Sequence, residues 1–382
     1  MNKFIKSFIT SLMIGIPIVL CLCIILYMKS DNQQMNTVQN TPVLIKDLHI
    51  DQDNSSDKIS KNEISSEHDM EDYAPDSVTL SFAGDVHFSE LITQKYDDSG
   101  ISAIIDDELL SFMQNADLMV LNHEFVFSTR GEAMEDKEYT LRNDPKYVKI
   151  LQDMGTDVVS IANNHILDFG KDAFLDTLKT LENAEIMYAG GGRNLEEASK
   201  PVIYEINGQT FAIFAATRVS PSADWYAGKK HPGVFQTYDA TALNKAIAAA
   251  DTNYDHIIVY VHWGIERAEI PEEYQRTLAK GYIDAGADLI IGAHPHILQG
   301  FEYYKEVPIC YSLGNYLFGN RTDETILLNA TFDKNGTLSI ELVPCERING
   351  ILTKIQEPTE LFNHLTDISF GAAVSHGGIL IQ

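Results

Sequence analysis

Two histidines flank a proline in the segment GAHPH, residues 292–296, and this pair is the first indication of metal chemistry. Imidazoles two residues apart lie on one side of the backbone only where the chain is locally extended. Pro295 favours an extended conformation at His294, because its ring restricts the residue before it. An extended segment would turn His294 and His296 to one side, where they could bind metal, but two ordinary surface or core histidines would give the same pattern.

Four other short segments combine carboxylate, amide and imidazole side chains: GDVH (84–87), NHE (122–124), NNH (163–165) and HWG (262–264). Each one alone could be a common turn or a packed loop. Each follows a separate predicted strand, however, as GAHPH does, and unrelated surface clusters would not share that position. The side chains they offer as ligands, as supporting residues or as catalysts are Asp85, His87, Asn122, Glu124, Asn164, His165 and His262.

This mixture of donors suits Mn²⁺, Fe or Zn²⁺ better than Ca²⁺, which prefers oxygen ligands alone. The donors are too many for one tetrahedral zinc ion, but they fit two divalent ions that share a carboxylate. Two ions about 3.5–4 Å apart can clamp an in-line displacement at a phosphorus or carbonyl centre. A histidine not used as a ligand could then protonate the leaving group. The five clusters together predict a metal site, and two-metal hydrolysis is the chemistry that this set of side chains suits.

Strands and helices alternate along the part of the chain that contains these clusters. The segments SVTLSFAGD, DLMVLNHE, TDVVSIANNH, HIIVYVHWG and ADLIIGAHPH read as strands, and helical segments separate them. Alternation of this kind predicts parallel pairing and a layered α/β domain, in which functional groups collect beyond the carboxyl ends of the strands. Asn207-Gly208 predicts a hairpin with a type I′ turn, Asn335-Gly336 a second hairpin, and VPICYSLGNYLFG a single late strand.

Acidic residues outnumber basic ones, with 55 Asp and Glu against 28 Lys and Arg and a formal net charge of −27. A charge of this sign disfavours binding to nucleic acid or to an anionic membrane surface. It does not exclude an anionic substrate, because a metal ion or a single arginine can dominate the local field.

The first 30 residues have the composition of a membrane anchor. An apolar run at about residues 8–28 follows Lys3 and Lys6 and is long enough to cross a bilayer, which requires about 20 residues. The preceding lysines predict a cytoplasmic N-terminus, and no small-residue cleavage site follows the run. We therefore predict an uncleaved, single-pass signal-anchor at residues 1–30 and a domain outside the cytoplasm.

Residues 31–76 are polar, acidic and poor in aromatic residues, which predicts a disordered linker. The folded domain is expected at residues 77–345, and residues 346–382 are expected to be an extension of it. Cys310 and Cys345 lie in strand-like sequence, so two buried thiols are favoured over a disulfide, although pairing stays open.

The order GD-x-H, acidic site, N-H, H and G-x-H-x-H is similar to that of the calcineurin-like metallophosphoesterase superfamily. The longer strings ANNHILDFG, HWGIE, YIDAGADLIIGAHPHILQGFEYY and VPICYSLGNYLF resemble the CapA family of poly-γ-glutamate capsule proteins, from about residue 78 to about residue 344. This resemblance implies a four-layer α/β/β/α domain tethered to the outer face of a bacterial cell membrane. It also implies a role in making or exporting a γ-linked glutamate polymer, with other capsule synthesis subunits as partners.

The resemblance also implies a role for each residue that matches the superfamily pattern. Asp85, His87 and His296 would hold one metal ion, Asn164, His262 and His294 the other, Glu124 would bridge the two, and His165 would be the general acid. The chain departs from these patterns at two positions. His87 replaces an apolar residue that is usual in the CapA family, and Glu124 replaces the bridging aspartate of the superfamily.

Three further residues are candidates for supporting roles. Arg142, in YTLRNDP, matches an arginine of the CapA pattern, and its guanidinium suits a carboxylate or phosphate, although a surface salt bridge is an equal alternative. Asn122 and Asn315 would orient the metal ligands, or Asn315 would form a turn.

Two functions remain open at this level. The first is a two-metal hydrolase that acts on a phosphoester or on an amide bond of the polymer. The second is a non-catalytic accessory subunit that binds or guides the polymer and keeps the metal site for binding or stability. The complete set of ligands favours retained metal chemistry.

Overall fold

A computed structural model describes residues 44–45, 76–319, 323–348 and 350–382, which belong to one compact unit. The predicted membrane anchor and most of the predicted linker lie outside these residues. Within the described ranges, no helix combines the length and the apolar character needed to cross a membrane.

The strands in chain order are β1 (Leu44–Ile45), β2 (Val78–His87), β3 (Leu118–His123), β4 (Val126–Phe127), β5 (Arg142–Asn143), β6 (Val158–Ser160), β7 (Met187–Ala189), β8 (Gly191–Gly192), β9 (Val202–Ile206), β10 (Gln209–Thr217), β11 (Gly233–Val234), β12 (His256–His262), β13 (Leu289–Ala293), β14 (Leu298–Tyr304), β15 (Val307–Leu313), β16 (Asn315–Phe318), β17 (Thr325–Phe332), β18 (Leu338–Ile348), β19 (Ile351–Lys354), β20 (Ala373–Val374) and β21 (Leu380–Ile381). The α-helices are α1 (Glu90–Ser99), α2 (Asp107–Gln114), α3 (Val148–Asp153), α4 (Gly170–Asn183), α5 (Leu195–Ala198), α6 (Thr241–Ala250), α7 (Glu273–Asp284) and α8 (Thr359–Asp367). Short 3₁₀ helices form at Ile101–Ala103, Pro145–Tyr147 and Ala223–Trp225.

Most of the strands form two large sheets. Sheet I has the order β19-β18-β17-β2-β3-β6-β7, and β16 also pairs with β2. Sheet II has the order β1-β9-β10-β12-β13-β15-β14, so that two residues of the predicted linker form its edge strand. The strands that precede the polar clusters pair in parallel: β2 with β3, β3 with β6, and β12 with β13. The predicted α/β class with parallel pairing is confirmed.

The two sheets face each other across a shared apolar cluster that includes Phe82 and Val120 of sheet I and Phe211 and Ile258 of sheet II. A second cluster joins the outer face of sheet I to helices, with Leu121 packed together with residues of α2 and α4. A third cluster joins the outer face of sheet II to helices α6 and α7. Burial of each large apolar side chain contributes about 1.5–3 kcal/mol, and the helices therefore cover the outer faces of both sheets.

A shift of register within β2 aims Asp85 toward the space between the sheets. Val78, Leu80 and Phe82 alternate toward the shared cluster, but the pairing of β2 with β3 is irregular between Phe82 and Asp85. A bulge of this kind inserts one residue and moves the following side chains to the opposite face. Without it, Asp85 would point toward the helices instead.

The chain passes from sheet II to sheet I at Gly314. The segment VPICYSLGNYLFG, predicted as one strand, forms β15 in sheet II and β16 against β2 in sheet I, so that prediction is wrong. Gly314 has φ +72°, a conformation that glycine adopts without steric cost. Its carbonyl accepts a hydrogen bond from the Asp85 N–H at 2.9 Å, and this contact joins the two sheets beside Asp85.

Two local predictions from the sequence are confirmed. Asn207 and Gly208, at φ +51° and +76°, turn the hairpin between β9 and β10, as a type I′ turn requires. Cys310 and Cys345 are buried free thiols.

We predict that Gly84→Ala destabilises the fold by about 1–3 kcal/mol, the typical cost of forcing an added methyl group into a packed site. A Cβ at Gly84 would lie 2.0 Å from the Gly314 carbonyl oxygen, and backbone cannot rotate out of the way as a side chain can. Urea denaturation of the full chain measures the effect.

Gly281→Ala is the matched control. The nearest atom to its added Cβ is Asn244 Nδ2 at 3.7 Å, and alanine in a helix interior is favoured over glycine by about 0.5–1 kcal/mol. Equal stability of the two variants would show that the close approach of Gly84 and Gly314 does not constrain the fold.

Candidate metal centre

Side chains from five strand ends meet where the two sheets join. Two groups of potential ligands form there, Asp85 with Glu124 and His262, and Glu124 with His294 and His296; in each group the ligand atoms lie within 4.8 Å of one another. Glu124 belongs to both groups, so its carboxylate can serve two neighbouring positions.

Asn122 holds the two carboxyl groups together. Its Nδ2 donates to Asp85 Oδ1 at 2.7 Å and contacts Glu124 Oε2 at 3.2 Å. Burial raises the pKa of Asp85, but the contacts from His296 and Asn122 outweigh burial and leave that pKa below its usual value. Burial and the neighbouring Asp85 raise the pKa of Glu124 well above its usual value. Asn122 therefore lies within hydrogen-bond distance of both carboxyl groups, and its role in orienting metal ligands stays a prediction.

His262 and Asn164, which come from different sheets, meet in this centre. His262 Nε2 lies 2.8 Å from Asn164 Oδ1 and 3.5 Å from Glu124 Oε1. Burial and the neighbouring imidazoles lower the pKa of His262 well below its usual value. A neutral imidazole is the form that binds a metal.

The backbone at His294 and His296 is not extended, and the sequence-based prediction is wrong here. Their φ angles are +97° and +58°, values that cost energy in residues with a side chain. Two contacts impose this turn against the preference of Pro295: the His294 N–H donates to Asp85 Oδ2 at 3.2 Å, and Arg267 Nη1 donates to the His296 carbonyl at 3.0 Å. Such strain is typical of functional sites.

Asn315 orients the imidazole of His296. The Asn315 Oδ1 lies 2.9 Å from His296 Nδ1, and its Nδ2 donates to Asp323, which also accepts from Arg267. A hydrogen bond at Nδ1 leaves Nε2 for a metal, and this nitrogen lies 3.9 Å from Glu124 Oε1. The contact is of the kind that orients metal-bound histidines.

In the two ligand groups, Glu124 Oε1 and His294 Nδ1 are buried without a hydrogen-bond partner among the described residues, as are both ring nitrogens of the neighbouring His123. An unsatisfied buried polar group costs about 1–3 kcal/mol. A divalent cation bound in this group would supply a partner to such atoms, and the mixed oxygen and nitrogen donors suit a transition metal. The residues present therefore fit a metal site.

His87 and Arg142 lie outside both ligand groups. His87 is half-buried, with its ring edge-on to Phe318 at 5.3 Å, and burial together with His165 lowers its pKa to about 4. Arg142 is exposed, stacks on Phe169 at 4.0 Å and donates to the Arg130 and Gly131 carbonyls. Their assignments as a ligand and a substrate contact stay predictions.

His165 is held by neighbours that the sequence did not single out. Its Nδ1 lies 2.7 Å from Asp168 Oδ2, and its N–H donates to Asn163 Oδ1 at 3.1 Å. Burial lowers the pKa of His165, although Asp168 acts in the opposite direction. The paired Nδ1 leaves Nε2 as the nitrogen that can exchange a proton.

Lys137 is the site residue that sequence reasoning missed most completely. Its Nζ contacts Asp168 Oδ1 and the Asn164 carbonyl and lies 3.1 Å from His165 Nδ1. Lys137 comes from a polar loop without periodicity, so no sequence signal marks it. Asp168 lies in the string ANNHILDFG, three residues after His165, and that spacing could have indicated it.

We predict that Lys137→Met lowers the free energy of unfolding by about 3–5 kcal/mol, because it leaves the buried Asp168 carboxylate without its cation. The side chains of Lys137 and Asp168 are 14% and 0% exposed. Urea denaturation of the full chain measures the loss, and Asp168→Asn in the same chain should recover part of it.

Lys334→Met, which breaks an exposed ion pair with Asp76, is the control and should cost less than about 1 kcal/mol. If Lys137→Met costs no more than this control, the Lys137–Asp168 contact does not stabilise the centre.

Comparison with known proteins identifies the family. A family model described as "Bacterial capsule synthesis protein PGA_cap" matches residues 79–320. The chain is 33% identical over 280 residues to the PGA biosynthesis protein CapA of Bacillus subtilis (strain 168), covering 72% of this chain and 73% of that protein. It is 30% identical over 310 residues to the capsule biosynthesis protein CapA of Bacillus anthracis, covering 78% and 75%.

A third relative is described as a probable polyglutamine synthesis accessory protein of Mycobacterium tuberculosis (strain ATCC 25618 / H37Rv), with 28% identity over 219 residues, covering 54% of this chain and 58% of that protein. The resemblance stated from the strings around the site is confirmed by the family match and by both Bacillus relatives. The chain belongs to the CapA family of bacterial capsule synthesis proteins.

Proposed function

We propose that this protein acts in the synthesis or export of a poly-γ-glutamate capsule and carries a two-metal hydrolase centre. Membership of a capsule synthesis family supports the first part. The observation that carries the second part is the presence of Glu124 in both ligand groups, because a shared carboxylate is the feature that allows two ions to lie close together.

The proposed organisation follows from the sequence. Residues 1–30 anchor the chain in the cell membrane, and residues 31–76 are a linker of which residues 44–45 pair with β9. Residues 77–345 form a metallophosphoesterase-like domain outside the cell, and residues 346–382 extend it. Helices on the outer faces of two packed sheets support the four-layer α/β/β/α assignment. The expected partners are the membrane, the anionic polymer and other capsule synthesis subunits.

The proposed ligands of the two ions, Mn, Fe or Zn, are Asp85, His87 and His296 on one side, Asn164, His262 and His294 on the other, and Glu124 between them. The contact of His262 with Asn164 supports their place in one set, and that of His296 with Asp85 at 3.2 Å keeps these two side chains adjacent. The two ligand groups cross this division, since Asp85 lies with His262 and His294 lies with His296, so the division follows from the family pattern. When bound, such ions supply Lewis acidity to a phosphoryl or carbonyl oxygen and lower the pKa of water.

His165 is the proposed general acid. Asp168 accepts from its Nδ1 and aligns the ring. This carboxylate also stabilises the imidazolium form, whose Nε2–H can donate its proton to the leaving oxygen or nitrogen. Lys137 holds Asp168 and the Asn164 carbonyl, which steadies the turn that carries His165. Positioned acids of this kind contribute about 10²–10⁴-fold to a rate.

A non-catalytic role for the same centre is the second candidate. The unsatisfied Glu124 Oε1 and His294 Nδ1 favour a metal even without turnover, because the ion would stabilise the fold by satisfying them. The protein would then bind the polymer as an accessory subunit.

We expect the purified full chain to bind two transition-metal ions per molecule after loading with Mn²⁺ or Zn²⁺, as measured by elemental analysis. His262→Ala should lose occupancy mainly at one position, whereas the exposed His376→Ala should retain both ions. A chain that takes up no metal under these conditions would rule out the proposed centre.

The catalytic proposal predicts that His165→Ala keeps its metal but loses about 10²–10⁴-fold in turnover. The assay measures the hydrolysis of a nitrophenyl and a phenyl phosphodiester and the shortening of a poly-γ-glutamate chain. Each rate is compared among wild type, His165→Ala and the control His376→Ala. The loss should be smaller for the nitrophenyl ester, since a good leaving group needs little protonation.

Wild-type turnover in His165→Ala would contradict the acid role. Loss of metal in this variant would make His165 a ligand or a structural residue. If the wild type binds the polymer and two metal ions but cleaves no substrate, the accessory role replaces the enzymatic one.

A further inference from the structure

Arg218 is a cation without a carboxylate partner at the edge of the metal centre. It follows β10, the strand beside β12, and its N–H donates to the carbonyl of His262 at 2.8 Å. Among the residues that the structure describes, no carboxylate pairs with its guanidinium, although the chain has 55 acidic residues. Arg130, Arg193 and Arg276, in contrast, each contact at least one carboxylate.

Aromatic rings hold the Arg218 guanidinium in place instead. Its central carbon lies 3.5 Å from the ring centre of Tyr238 and 5.1 Å from that of Tyr274. The Tyr274 hydroxyl accepts from the Gly264 N–H at 2.6 Å, two residues after the ligand His262. Stacking on a ring face fixes the plane of a guanidinium and leaves its N–H edge available.

A line of aromatic side chains leads from Arg218 toward His165. The ring centres of Tyr226 and Tyr238 lie 6.2 Å apart. Trp225 precedes Tyr226 in the chain, and Lys137 Nζ lies 5.3 Å from the ring centre of Trp225. We refer to Trp225, Tyr226 and Tyr238 as the aromatic strip. Of the two cations at the ends of the strip, Lys137 forms an ion pair with Asp168. Arg218, at the other end, is therefore the one available to bind an anion.

We propose that Arg218 and the aromatic strip form a binding site for a carboxylate-bearing chain beside the metal centre. A planar guanidinium binds a carboxylate through two parallel hydrogen bonds. The half-buried Tyr226 and the exposed Tyr238 offer an apolar surface to the spacer between carboxylates, whereas Trp225 is the buried member of the strip. A γ-linked glutamate chain has this chemistry, with one free carboxylate and two methylene groups in each residue. This assignment rests on the proposed function and adds to it a residue that selects the substrate.

The test measures binding of a γ-linked glutamate oligomer of defined length to the metal-loaded full chain by calorimetry. Arg218→Gln should weaken binding about 10- to 100-fold, the usual effect of losing a charge-assisted hydrogen-bonded pair. Arg218→Lys should bind with intermediate affinity, since it keeps the charge but not the planar fork. Arg193→Gln is the matched control, because Glu182 and Glu197 already occupy that guanidinium, and it should bind as wild type does.

A second probe separates this site from the proposed function. Glutarate carries carboxylates but no polymer backbone, and its binding is followed by the fluorescence of the two tryptophans, of which Trp225 lies in the strip. Oligomer binding that is equal in wild type and Arg218→Gln overturns the site and leaves the proposed function intact. Glutarate binding that depends on Arg218, without oligomer binding, overturns the proposed function and keeps the site. Failure of both probes overturns both.

Discussion

The burial of two adjacent carboxyl groups is the constraint on which the rest of the site depends. Asp85 and Glu124 are both 0% exposed, and an isolated buried charge is too costly to persist without partners. The amide of Asn122 contacts both groups, and the His294 N–H and His296 contribute further contacts to Asp85. The bulge in β2, the strained turn at GAHPH and the passage of the chain at Gly314 all serve to bring these partners to the two carboxyl groups.

The compensating positive charges lie one layer further out. One network runs from Asp85 through His296, Asn315 and Asp323 to Arg267, and another runs from His165 through Asp168 to Lys137. Each network alternates donors and acceptors and ends in a cation that is more exposed than the groups it serves. Such an arrangement keeps the ligands oriented before a metal arrives, and supporting contacts of this kind are as important to metal sites as the ligands themselves.

The parts of this structure that could be predicted from the sequence are those with local causes. Alternating apolar segments indicated parallel strands, and the polar residues that end them gave Asp85, Glu124 and His262, all of which lie in the ligand groups. The parts that could not be predicted depend on contacts between distant segments. The positive φ at His294 is imposed by Asp85, the break after Leu313 by the partner strand β2, and the role of Lys137 by Asp168. At His294, the following proline favoured an extended backbone, and after Leu313 the strand propensity favoured an unbroken strand.

The passage of the chain at Gly314 has a consequence for the order of events during biosynthesis. Sheet I is assembled from early and late parts of the described chain, because β2 pairs with the early strand β3 and with the late strands β16 and β17. Sheet II comes from the segment between them, apart from its edge strand β1, which precedes β2. Pairings so distant in sequence form slowly, since the intervening chain must first be ordered. A polypeptide that emerges from its N-terminus therefore presents Asp85 and Glu124 long before His294, His296 and Asn315 exist beside them. The proposed metal centre is complete only when these late residues have been added, so metal capture would close maturation rather than start it. A truncated or stalled chain would carry the acidic half of the centre without these imidazoles.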